Sequence, residues 1–127
     1  MTKAHPVVIL ESPFHHWHEE GRKLHQAYLE LCLRDSLLRG EIPIATHKLY
    51  TAALDDSKPE ERKLGMETLT RFFDVSEYSV FYFDLGFSPG MHWGFEMTRQ
   101  RNRTFHFRSL YNHPWPGFNN IPERTSL

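Results

Sequence analysis

The sequence predicts a small α/β fold, a three-layer sandwich around a parallel sheet of about four or five strands. Three observations predict it. Short β-branched or aromatic runs alternate with segments of helical periodicity, which is the pattern of strand–helix–strand crossovers. The connections are long enough for right-handed crossovers and too long for hairpins. The chain of 127 residues, 39% apolar and 14% aromatic, suits one packed domain rather than two.

Val7-Val8-Ile9-Leu10, closed by Glu11-Ser12-Pro13, reads as a strand buried on both faces, β1. Leu24, Ala27, Tyr28 and Leu31 recur at helical spacing, and Gly40 stops a first helix at about residues 19–39. Residues 43–47 form a short β2, followed by a loop with one helical turn. Ser57-Lys58-Pro59-Glu60 fits a capping box, so a second helix starts there, with Gly65, Met66, Leu69, Phe72 and Phe73 on one face. Tyr78-Ser79-Val80-Phe81-Tyr82-Phe83 is β3, in a central place. Ser88-Pro89 is an N-cap and N1 pair opening a third helix to about residue 100, and residues 104–107 give β4. The expected strand order is 2-1-3-4, in a Rossmann-like or flavodoxin-like sandwich over residues 1–110. Residues 111–127, proline-rich and aperiodic, form an irregular tail whose aromatics pin it to the domain.

Composition excludes several classes of function. Fifteen Lys and Arg against sixteen Asp and Glu leave a formal charge of −1, so no overall field draws in a nucleic acid. The longest apolar runs fall far short of the ~20 residues of a membrane span, and the N-terminal run is too short for a signal peptide, so a cytoplasmic protein is expected. A single cysteine, Cys32, forbids an internal disulfide and a thiolate metal site. No cofactor is called for. Of the nine histidines, His15, His16 and His18 match no zinc spacing and place no metal there. The arginines at 99, 101, 103 and 108 read as a solvated helix end.

Ligands of open parallel sheets bind outside the carboxyl ends of the strands, where the strand order reverses, here between β1 and β3. That selects Glu11, Ser12, Pro13 and Phe14 after β1, His47 after β2, and Asp84, Gly86, Ser88, Gly90 and Met91 after β3. Ser88, Gly90 and the first-turn amides of the third helix either bind an anion or serve helix capping and turn geometry. Asp84 and Glu11 each end a strand, as a solvated terminus or as a carboxylate aimed into the crevice. They are the two candidate catalytic groups. Phe14 and Trp17 offer a pocket wall.

Several stretches together resemble the nucleoside 2-deoxyribosyltransferase-like superfamily, and more closely a branch of small domains common in bacteria and phages. These are Glu11-Ser12-Pro13-Phe14, residues 39–47 ending at His47, Leu54-Asp55-Asp56 with Pro59-Glu60-Glu61-Arg62 and Gly65-Met66, and Asp84-Leu85-Gly86-Phe87-Ser88-Pro89-Gly90-Met91. The resemblance implies a small-molecule ligand, a nucleoside or nucleotide held by Ser12, Pro13, Phe14, His47, Asp56, Gly86, Ser88, Gly90 and Met91. It also implies N-glycosidic hydrolase or transferase chemistry and a homo-oligomer. Two departures stand out: the glutamate nucleophile of that family falls at Gly94, with Glu96 two residues on, and its β1-loop tyrosine is Phe14. A catalytically silent binder of a nucleotide-derived signal and a protein-interaction module using Trp115 and Phe118 are the alternatives.

Overall fold

A computed structural model describes residues 5–50 and 53–120. In chain order the elements are β1 (Val7–Glu11), α1 (Glu19–Leu38), β2 (Ile42–Ile44), a 3-10 turn (Thr46–Lys48), α2 (Pro59–Leu69), α3 (Arg71–Val75), β3 (Tyr78–Tyr82), α4 (Pro89–Gln100), β4 (Phe105–Arg108) and a 3-10 turn (Phe118–Asn120). The four strands form one parallel sheet in the order β2-β1-β3-β4. The expected α/β sandwich and its strand order are both present. In the register of the central pair, Val8 lies opposite Tyr78 and Glu11 opposite Phe81.

Alternation along the central strands divides the core in two. Val8, Leu10, Val80 and Tyr82 turn to one side and pack on Tyr28, Leu29 and Cys32 of α1. Phe81 and Phe83 turn to the other, where Phe87, Met91, Phe95, Phe105 and Phe107 gather around α4. Full burial of each such side chain stabilises the fold by roughly 1.5–3 kcal/mol. Phe73 of α3 meets Trp93 of α4, so the second layer also holds the crossover from β2 to β3. Among the described residues, no helix is long and apolar enough to cross a membrane.

Three local expectations change. Of the α1 residues singled out by spacing, Tyr28 is buried, but Leu24, Ala27 and Leu31 face solvent; the face on the sheet is His25, Tyr28, Leu29, Cys32 and Ser36. The capping box before α2 does not form. Lys58 is the N-cap, Ser57 donates its hydroxyl to Asp55 Oδ1 at 2.6 Å, and Glu61, not Glu60, reaches back to the Asp55 amide. The second helix also breaks at Thr70, so that Phe72 and Phe73 belong to the short α3.

A polar cluster fastens the α1 side. Glu41 pairs with Arg108 at 2.6 Å and accepts from Ser36 and Tyr78. Burial opposes its ionisation, yet these donors hold its carboxyl down at about 2. From residue 109 the chain lies across the edge of the sheet. Trp115 stacks on Phe107 at 3.8 Å between ring centroids, which pins this part of the tail; residues 1–4 and 121–127 lie outside the described residues.

Candidate active site: a buried carboxyl under a helix glycine

At the carboxyl ends of β1 and β3 a cleft of about 450 Å³ opens between the β1 loop, α2 and the start of α4. That volume lies in the range of small-molecule sites. Ser12, Phe14, His47, Asp56, Ser88, Gly90 and Met91 line it, together with Glu11.

Glu11 is the last residue of β1, and strand alternation points it to the α4 side. There Gly94 leaves room for it: a Cβ at position 94 would lie 2.1 Å from Glu11 Oε2. The carboxyl thus occupies the space where a side chain on α4 would begin. It makes no hydrogen bond or ion pair among the described residues, and burial pushes it up to about 8. Desolvation without a compensating partner has this effect, and such perturbed groups in clefts are enriched at functional sites.

His47, in the 3-10 turn after β2, lies beside it in the wall. Its Nε2 is 3.2 Å from Ser12 Oγ, and its ring edge meets Phe14. Burial, and then the neighbouring His15 and Lys48, push its imidazolium down to about 4, so it is neutral at pH 7. Across the mouth, His15 Nε2 and the Asp56 carboxylate stand 3.4 Å apart and bridge the β1 loop to the loop before α2. His16 also reaches the cleft, but its Nδ1 is held by the His18 amide at 3.0 Å and its ring meets His25. Among the described residues, no three His, Cys, Asp or Glu side chains are grouped to hold a metal.

The start of α4 offers fewer donors than its sequence suggests. Pro89 has no N–H, the Ser88 hydroxyl accepts the Met91 amide at 3.2 Å, and the His92 amide bonds the Ser88 carbonyl. Of these first-turn amides, Gly90 is the one left for a ligand. The nearby cation is Arg62 of α2, which is exposed and forms no ion pair among the described residues.

Asp84, the other candidate catalytic carboxylate, lies outside the cleft. Its side chain is 3% exposed and accepts from the Tyr28 hydroxyl at 2.7 Å, the Leu110 amide at 2.8 Å and the Ser109 hydroxyl, with His113 3.6 Å away. Its lone pairs are committed to anchoring the segment after β4. Pro13 and Gly86 also miss the cleft. Pro13 is fully buried, and Gly86, at φ 99°, shapes the turn that sends the chain toward Ser88.

Sequence reasoning missed Tyr50, Arg62 and Trp93 in the lining. A topological signal was available for Arg62, because the crossover from β2 to β3 must pass β1 and so carries α2 past its carboxyl end. Trp93 follows from its place one turn into α4. No curated protein and no solved structure matches the chain. The family described as "Domain of unknown function (DUF7768)" matches residues 6–108, from the residue before β1 to the last residue of β4, and the chain belongs to that family.

Proposed function

We propose that the cleft binds nucleosides or their monophosphates, and that Glu11 is the group that meets the reacting or recognised atom. The observation that carries this reading is the buried, unpartnered Glu11 carboxyl on the cleft floor, seated over Gly94. In the family resembled, the nucleophilic glutamate would stand at position 94; here a carboxyl reaches the root of that position from the neighbouring strand. The walls suit a flat base, with Phe14, Trp17, Tyr50 and Trp93 around it. Gly90 N–H and Arg62 suit a 5′-hydroxyl or a phosphate.

Below pH 8 Glu11 holds its proton. Its chemistry in that state is proton donation: it can protonate the leaving base as the N-glycosidic bond breaks, after which water adds at the anomeric carbon and returns a proton to the Glu11 carboxylate, or an acceptor base adds there in the water's place. One observation favours the second reading, a silent binder. Glycoside cleavage ordinarily uses two carboxyl groups, and Asp84 is spent on the chain after β4.

The test is a panel of nucleosides and deoxynucleosides, each with its monophosphate, read by thermal shift and by chromatography for free base. Stabilisation by a panel member supports the site, through preferential binding to the folded state. Base release abolished in Glu11→Gln supports the enzyme, and a shift without release supports the silent binder. No shift with any member overturns the site. Ser88→Asp separates the parts of the ligand, since Asp still caps α4 but repels a phosphate. It should leave nucleoside binding within about twofold and weaken monophosphates by roughly tenfold or more.

A further inference from the structure

Helix α1 carries two apolar stripes, and the fold uses one. The buried stripe is Tyr28, Leu29 and Cys32. The second begins before the helix at Trp17 and continues through Leu24, Leu31 and Leu38, each seven residues from the last, with Ala27 and Arg34 filling the intervening positions. At 3.6 residues per turn, residues 24 to 38 of this series fall within a band about 80° wide, the geometry of a helix–helix seam. Trp17 is 69% exposed, Leu24 52%, Leu31 49% and Leu38 73%. Isolated exposed leucines need no explanation, but a seven-residue ladder of them along residues 24–38 of one helix does.

We propose that this stripe is a self-association surface, and that its occupant is α1 of a second copy of the chain, packed antiparallel about Ala27. Charge complementarity selects the partner and its direction. Glu20 and Arg34 lie on the same stripe, each seven residues from Ala27, and neither forms an ion pair among the described residues. Antiparallel pairing about Ala27 sets Glu20 of each copy beside Arg34 of the other, twice in the dimer. Parallel pairing would set like charges together. The small Ala27 at the two-fold axis lets the helices approach closely, with Leu24 and Leu31 closing over it from either side. The layer arrangement agrees: among the described residues α1 alone covers its side of the sheet, while α2, α3 and α4 share the other. Because Trp17 both continues the stripe and lines the cleft, the second copy reaches the cleft mouth.

The test is sedimentation velocity on the full chain at roughly 100 μM, where a dimer with Kd below about 10 μM is mostly assembled. The wild type should sediment as a dimer and Leu31→Glu as a monomer with unchanged circular dichroism. Glu20→Arg and Arg34→Glu, each alone, should weaken the dimer by about tenfold or more by placing like charges together, and the double swap should restore it. Ala27→Cys should form a disulfide-linked dimer on mild oxidation, since Cys32 is buried. A monomeric wild type, a dimer that survives Leu31→Glu, or a double swap no better than the single ones would each overturn the proposal. These readouts involve no nucleotide, so the proposal stands or falls apart from the cleft reading.

Discussion

Glu11 sets the energetics of the cleft as well as its chemistry. An unfolded glutamate titrates near 4.5, whereas the folded one titrates near 8. Between those values the unfolded chain has released a proton that the folded chain keeps, so raising the pH favours unfolding. The stability contributed by keeping Glu11 neutral is complete below 4.5 and is lost as the pH climbs through about 8. At 1.36 kcal/mol per pH unit, the loss is on the order of 5 kcal/mol. Glu11→Gln keeps the shape and removes the titration. Its stability relative to wild type, from urea unfolding across pH 5 to 9, should therefore improve steadily toward alkaline pH. A difference curve flat with pH would show that Glu11 ionises freely in the fold. His47 acts with the opposite sign, since its neutral form is the folded one: stability held above pH 6.5 is lost as the pH falls toward about 4. Glu11 was legible as a site candidate because it ends an apolar strand. That Asp84, alike in sequence, is an anchor was not legible, because its partners Tyr28, Ser109 and Leu110 come from distant parts of the chain.

At the scale of elements, helix α4 can lie close over β1 because Gly94 faces the sheet without a side chain. A methyl at position 94 would force the Glu11 carboxyl out of its seat and into the cleft. Gly94→Ala should cost no more than about 1 kcal/mol of stability, since the atoms it meets end a flexible side chain and alanine has the better helix propensity, and should abolish ligand binding. Glu11→Ala in the same chain should recover the stability but not the binding. The coupling between the two, from a double-mutant cycle of unfolding free energies, should exceed about 1 kcal/mol; additive effects would mean that the residues do not share the space. The element boundaries show what sequence can resolve. β1 and β3 carry continuous apolar runs, which have one reading in a parallel sheet. Helix α1 carries two stripes of similar strength, and periodicity alone does not say which meets the sheet, so Leu24, Ala27 and Leu31 read as one face with Tyr28. Ser57 lost its capping role to a local competitor, Asp55, whose carboxylate takes the hydroxyl first.

For the whole molecule, the family match ends at residue 108, yet the chain beyond it completes the second half of the core. Trp115 stacks on Phe107 with 6° between the ring planes, and it also meets Phe83 and Phe87 edge-on. Phe118 closes over Phe87, Phe95 and Phe107. Without these residues, strand β4 at the sheet edge would present an aromatic face to water. The aromatics of the tail therefore serve the fold first, with Phe118 keeping one partly exposed edge. Asp84 secures the same segment at its root, so this carboxylate and the Trp115 stack act in series on one stretch of chain. Removing the ring leaves a cavity among phenylalanines, whereas of the residues in that cluster only Met91 also lines the cleft. Trp115→Ala should thus cost about 3 kcal/mol and lower the melting temperature by roughly 10 °C, with nucleoside affinity at 20 °C unchanged within about twofold. Calorimetry and a binding titration on the same variant check both halves. A variant that keeps its melting temperature would place the stacking energy elsewhere, and one that loses affinity in step with stability would make the tail part of the cleft's support.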